Sequence, residues 1–260
     1  MSRSVFGVTQ CDSKLFVVGG DSDTILVFGP NYERLPSITV TGLKEPTDIA
    51  ACIETRQLFI ADIAGSGCVW RVSLDGCVDK WPTDKSTTTT DWRPWSLSVT
   101  SRRLLVTKAI DELLLLGPDG VELKRVSSPG TKQVCHAVET SRGTFIVSHR
   151  EPQSQVSEVG ADGHVIRVYC GQQRLGDPCY LALDSDGRVF VVDCWKHCVL
   201  LLNSRLELER VLLDSKQHQL AERPFRLCLD QQTRQLIVAS YTPPGHAVSD
   251  LIQVYTTRDS

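Results

Sequence analysis

Apolar residues in this chain come in short runs, each closed by a polar turn, and the runs recur in an ordered set. The fullest copy is Pro46-Thr-Asp-Ile-Ala-Ala-Cys-Ile-Glu-Thr-Arg-Gln-Leu-Phe-Ile-Ala-Asp62, two apolar strands around a polar turn. The set repeats six times, about every 40 to 48 residues. The other five copies pair Val5–Val8 with Leu15–Val18, Pro94–Leu97 with Leu104–Thr107, Val134–Ala137 with Thr144–Val147, Pro178–Leu183 with Val189–Asp193, and Pro224–Leu229 with Leu236–Ala239. A third run follows each pair, as in Thr24–Phe28, Cys68–Val72, Leu113–Leu116, Cys198–Leu202 and Leu251–Tyr255, and in five of the six copies a weaker fourth strand follows. The runs are too short, and too rich in Val, Ile, Leu and Phe, to be amphipathic helices at a 3.6-residue period.

A four-stranded antiparallel unit of this length cannot bury both faces alone, so six of them must pack on one another. The pattern predicts an all-β chain, a six-bladed β-propeller, in one domain over residues 1–260, with blades near 4–43, 44–85, 86–130, 131–173, 174–220 and 221–260. Asp75-Gly76, Asp119-Gly120 and Asp162-Gly163 mark hairpins, and the Asx-Gly pair favours a two-residue turn. The last blade lacks a fourth strand after Thr256, which predicts either a three-stranded sixth blade or a chain that is part of a longer polypeptide.

With 260 residues, 41% of them hydrophobic, the chain can bury a sizeable core. A net charge of −3 offers no global attraction to nucleic acid or anionic membrane. No apolar run approaches the roughly 18 residues of a membrane span, so neither a membrane nor a DNA partner is expected. The ten cysteines fall mainly at strand positions such as Cys52, Cys68, Cys135, Cys198 and Cys228, where a thiol packs as a small hydrophobe. Reduced thiols, the absence of an Asn-X-Ser/Thr sequon and the absence of a leader-like start together predict a cytoplasmic location.

The two fullest copies resemble NHL repeats, in which a Pro, a polar pair, Ile-Ala, a turn and a run ending in Ala-Asp precede a Val-rich third strand. The matching residues are Pro46, Ile49, Ala50, Leu58–Asp62 and Val69–Val72, then Pro178, Leu181, Ala182, Val189–Asp193 and Val199–Leu202. Such propellers often form the C-terminal part of tripartite-motif proteins, where they bind protein or RNA while RING and B-box modules carry ubiquitin ligation. The resemblance implies a place in a ubiquitin-ligase-related multidomain protein. The clustered Cys/His spacings of a RING are absent from this chain, so it is not expected to ligate ubiquitin by itself.

Candidate chemistry begins at the inner strands, where the six copies are aligned as Gly7, Ala50, Ser98, His136, Ala182 and Cys228, making His136 the one large polar member. Asp48, His136 and Asp177 are the nearest candidates for an axial metal. That supply is thin for calcium or catalytic zinc, so no cofactor and no metal are expected. Cys194-Trp-Lys-His-Cys198 has a metal-like spacing, yet Cys198 aligns with Cys68 as a strand residue. At the end of the second strand the copies carry Gly19, Asp62, Lys108, Ser148, Asp193 and Ser240. The two Asp residues are expected to accept hydrogen bonds from backbone donors of the following loop. The loops on one face carry basic and aromatic residues: Trp92, Arg93, Lys108, Lys132, Arg150, Arg174, Trp195, Lys196, Arg226 and Tyr241, with His149 and His246 beside them. Acidic residues interrupt them, which favours a protein partner held by Trp and Arg anchors on a non-catalytic scaffold. Single-stranded RNA is the alternative partner, and a metal-dependent lactonase-like or lyase-like propeller enzyme is the second alternative.

Overall fold

The computed structural model describes residues 5–20, 22–65, 67–81, 93–108, 112–127, 132–171, 174–216, 220, 223–230, 233–240 and 251–256. Every regular element among them is a strand. The first sheet is β1 (Val5–Cys11), β2 (Lys14–Gly19), β3 (Thr24–Phe28) and β4 (Arg34–Thr39). The second is β5 (Pro46–Cys52), β6 (Gln57–Asp62), β7 (Cys68–Ser73) and β8 (Val78–Trp81), and the third is β9 (Pro94–Thr100), β10 (Arg103–Lys108), β11 (Glu112–Leu116) and β12 (Glu122–Ser127). The fourth is β13 (Lys132–Glu139), β14 (Phe145–Glu151), β15 (Gln155–Val159) and β16 (Val165–Val168). The fifth is β17 (Pro178–Leu183), β18 (Val189–Asp193), β19 (Cys198–Leu202) and β20 (Leu208–Asp214), and the sixth is β21 (Pro224–Asp230), β22 (Gln235–Ser240) and β23 (Leu251–Thr256). Each sheet is an antiparallel meander in chain order, and the six are the blades of an all-β six-bladed β-propeller whose last blade has three strands among the described residues.

Side-chain alternation explains why the second and third strands read as unbroken apolar runs. In β6, Leu58 and Ile60 enter one core with Phe16, Val18 and Ile49, whereas Phe59 and Ala61 enter the next core with Leu97, Leu104 and Val106. In β18, Val189 and Val191 likewise pack with Ile146 and Val156, while Phe190 and Val192 pack with Leu227, Leu236 and Val238. A middle blade is therefore covered on both faces, and an alternating polar position would have to be buried. Fourth strands are covered less and carry polar residues and exposed Leu123, Ile166 and Val168. By contact density Val5–Arg125 form one compact unit and Val126–Ser260 belong to another.

Two details of register differ from expectation. The Asx-Gly hairpins are three-residue loops: Ser73 N–H donates to Cys77 O and Gly76 N–H to Ser73 O, leaving Leu74, Asp75 and Gly76 in the loop with Gly76 at φ 104°. Gly117 and Gly160 anchor identical loops ending at Gly120 and Gly163. Only the third loop residue takes positive φ, as in a type I turn with a bulge, so the two-residue turn with two positive φ values is not formed. Gly120 is needed twice over, because a Cβ there would also lie 2.8 Å from the Trp81 ring.

The second detail concerns the inner strands, each of which has a one-residue bulge near its start. Pro46 faces Asp62 but Asp48 faces Ala61; Val134 faces His149 but His136 faces Ser148; Pro178 faces Asp193 but Tyr180 faces Val192; Pro224 faces Ser240 but Arg226 faces Ala239. Ser96 and Gly7 occupy the same place in the third and first blades. His136 is thus equivalent to Asp48, Ser96, Tyr180 and Arg226, two residues away from the row of Ala50, Ser98, Ala182 and Cys228. It is one of a polar series, not a lone polar residue. By the same register, His149 and not Ser148 is the counterpart of Asp62 and Asp193. An alignment of apolar letters misses a bulge because the bulge changes pairing without changing pattern.

Candidate functional site

Asp193 closes β18 and is wholly buried. Its carboxylate accepts from Gly176 N–H at 2.7 Å, Asp177 N–H at 2.9 Å and Lys196 N–H at 3.0 Å. One side chain thereby ties the connection entering the fifth blade to the β18–β19 loop. Buried carboxylates are stable when their lone pairs are satisfied in this way, and charge-assisted bonds are the stronger kind. Asp62 does the same in the second blade, accepting from Lys44, Glu45 and Ala64 N–H and from Trp70 Nε1. The expected loop-fixing role is present at both residues, with donors also from the connection that precedes the first strand.

The segments that Asp193 ties together, with the β14–β15 loop, enclose a cleft of about 440 Å³ lined by Gln153, Ser154, Arg174, Leu175, Gly176, Trp195 and Lys196. Ser154 Oγ donates to Gly176 O at 2.7 Å and fixes the third wall. Gly176 allows the close approach, because a Cβ there would lie 2.9 Å from Trp195 Cβ and 3.0 Å from Asp193 Oδ1. Trp195 is 71% exposed, the most exposed large apolar side chain among the described residues. Neither Arg174 nor Lys196 meets a carboxylate among the described residues. A free ring beside two uncompensated cations can cover an apolar or aromatic group while attracting negative charge.

Three expected partner-binding residues, Arg174, Trp195 and Lys196, therefore meet in one cleft. Arg150 adjoins it but is engaged: its Nε and Nη2 reach Asp177 Oδ1 and Oδ2 at 2.7 and 3.0 Å, a two-pronged pair that raises the guanidinium pKa further. Lys132 and Arg93 are exposed at or beside strand starts, Arg93 in the other compact unit. Lys108 and Arg226 are corrections. Lys108 is 5% exposed, and its ammonium lies 2.8 Å from Glu112 Oε2, because a buried strand-end cation must be neutralised where it stands. Arg226 is 2% exposed at the inward-facing place after the bulge, with its guanidinium 4.0 Å from the Phe225 ring centre and 5.0 Å from that of Tyr180. His149 is also buried, with Nδ1 2.8 Å from Glu151 O and Nε2 2.9 Å from Ser157 Oγ. Trp92, Tyr241 and His246 lie outside the described residues.

The expected metal candidates point to other partners. Asp48 accepts from Ile49 and Leu97 N–H, Asp177 holds Arg150, and His136 stacks on Tyr180 with ring centres 3.8 Å apart. In the Cys194–Cys198 segment, Cys194 Sγ donates to Pro224 O, His197 Nδ1 accepts from Arg223 N–H, and Cys198 is buried in β19. No three His, Cys, Asp or Glu side chains converge as a metal site among the described residues. Sequence reasoning missed Gln153, Ser154, Leu175 and Gly176. The one available signal was Asp193 itself, since a buried carboxylate at a strand end demands donors from the connection before Pro178.

No family model and no curated protein matches the chain. Solved structures do match its fold. A gluconolactonase from Xanthomonas campestris superposes with a TM-score of 0.73 at 13% identity, covering 93% of this chain and 84% of that one. A streptogramin B lyase gives 0.69 at 11% identity over 100% and 85%. The WD40 propeller domain of Doa1 gives 0.66 at 15% identity over 98% and 83%. At these identities the likeness is one of fold.

Proposed function

We propose that the chain is a non-catalytic interaction module whose cleft at Arg174, Trp195 and Lys196 holds an acidic, extended segment of a protein partner. The observation that carries the reading is a 71% exposed Trp195 beside two cations without a carboxylate partner among the described residues. Aromatic and Arg side chains that become buried on binding are the usual energetic anchors of an interface. The cleft lining has amide, hydroxyl, cation and ring but no carboxylate, imidazole or thiol to act as acid, base or nucleophile. That favours binding over the lactonase-like or lyase-like alternative, which the gluconolactonase and lyase folds keep in view. Single-stranded RNA remains the second reading because a ring flanked by Arg and Lys suits a stacked base and its phosphate. One ring holds one base, whereas a single-stranded platform stacks several, so the peptide is preferred.

The test is fluorescence polarisation of labelled peptides rich in Asp and Glu around one bulky apolar residue, against basic peptides and a mixed-sequence RNA oligonucleotide, at low and physiological salt. Acidic peptides should bind in a salt-sensitive manner, and Arg174→Glu with Lys196→Glu should abolish the binding. Equal binding of acidic and basic peptides, or binding indifferent to the two reversals, overturns the reading. RNA binding that falls steeply with salt and is lost in the same variant would install the RNA alternative.

A further inference from the structure

Behind the cleft two thiols face one carbonyl. Cys179 is the bulged residue of β17, between Pro178, which pairs with Asp193, and Tyr180, which pairs with Val192. Cys194 follows Asp193 directly, and its N–H donates to Asp177 O at 2.9 Å. Both side chains turn toward the start of β21: Cys194 Sγ lies 3.0 Å and Cys179 Sγ 3.7 Å from Pro224 O. The two pack in the same core between the fifth and sixth blades. All ten cysteines are free thiols, but these two differ in access, Cys179 being buried and Cys194 half-buried.

We infer that Cys179 and Cys194 form a reversible thiol–disulfide site, with Cys194 as the residue that meets a peroxide and Cys179 as the residue that resolves it. Cys194 sulfur attacks one peroxide oxygen; the O–O bond breaks, the other oxygen leaves as water with the Cys194 thiol proton, and Cys194 becomes a sulfenic acid. Cys179 sulfur then attacks Cys194 sulfur, the S–O bond breaks, and the hydroxide leaves as water with the Cys179 proton. The two thiols lose two electrons and two protons in all, and the peroxide is reduced. Burial, and then the hydrogen bond to Cys194, hold the Cys179 thiol well above its ordinary pKa, which suits a protected resolving partner and not the first point of attack. Cys194 is both the hydrogen-bond partner of the Cys179 thiol and its neighbour at Pro224 O, so the two sulfurs are adjacent, as bond formation requires.

The experiment uses the full chain treated with hydrogen peroxide, followed by intact mass and non-reducing peptide mapping. A loss of two hydrogens, with the peptides of Cys179 and Cys194 joined and released by dithiothreitol, is expected. Cys135→Ser should leave that link intact, while Cys194→Ser should remove it. Phenylarsine oxide, which bridges neighbouring thiols, should bind the reduced chain and should not bind Cys179→Ala or Cys194→Ser. A chain that resists peroxide, accumulates sulfinic or sulfonic acid at Cys194, or joins Cys194 to another cysteine overturns the inference. This outcome is independent of whether any peptide binds the cleft.

Discussion

The ends of β6 and β18 are built to the same plan and carry different loops. Each closes on a buried Asp that accepts backbone N–H groups from the connection before its blade and the loop after it. In the second blade the fourth donor is Trp70 Nε1, from a side chain only 9% exposed. In the fifth blade the register places Leu200 where Trp70 stands, so the indole bond is missing, and a tryptophan appears in the loop instead, outward-facing at Trp195. The segment after Asp62 is Ile63, Ala64, Gly65, Ser66 and Gly67, whereas the segment after Asp193 is Cys194, Trp195, Lys196 and His197. The carboxylate frame ties each loop to the connection before its blade; in the proposed function, the side chains hung on that frame separate a place that only stabilises the fold from one that also binds.

Removing each tryptophan separates the two roles most sharply. Trp70→Ala should cost about 3–5 kcal/mol of stability, read by urea or thermal unfolding, because it empties a core position and leaves Asp62 one donor short. A loss below about 1 kcal/mol would show that Trp70 is not part of the frame. Asp193→Ala should cost about 3 kcal/mol, since three part-buried N–H groups lose a buried, charged acceptor. It should also abolish acidic-peptide binding, whereas Asp62→Ala should destabilise and leave binding by the folded fraction unchanged. Trp195→Ala should weaken peptide binding by about thirtyfold, near 2 kcal/mol, with stability unchanged within about 0.5 kcal/mol. A Trp195→Ala protein that binds normally would detach the ring from the site. The smallest effect is expected for Arg150→Ala. Its pair with Asp177 is half-exposed, so stability should fall by no more than about 1 kcal/mol, and the peptide should still bind because Arg150 is already occupied.

How much was legible beforehand follows from which forces leave a mark in one dimension. The strands were visible because residues such as Val189–Asp193 are buried on both faces and cannot include an exposed polar letter. The Asp62 and Asp193 roles were visible because an acidic residue ending such a run needs donors close by. The inner-strand bulges were not visible, so His136 was set two residues away from its true equivalents Asp48, Tyr180 and Arg226. Lys108 and Arg226 looked like surface cations because charge alone does not say where a side chain turns. Glu112 and the rings of Phe225 and Tyr180 hold those cations inside, and none of these contacts is marked by local spacing.

By itself the sequence determined the six repeats, the antiparallel meanders and the two carboxylate frames, because burial periodicity and unsatisfied backbone groups act within a few dozen residues. Tertiary structure alone decided that Gln153, Arg174 and Trp195 line one cleft and that Cys179 and Cys194 face one carbonyl. Those meetings depend on how neighbouring blades pack and where a one-residue bulge turns a side chain. Neither quantity leaves a periodic trace along the chain.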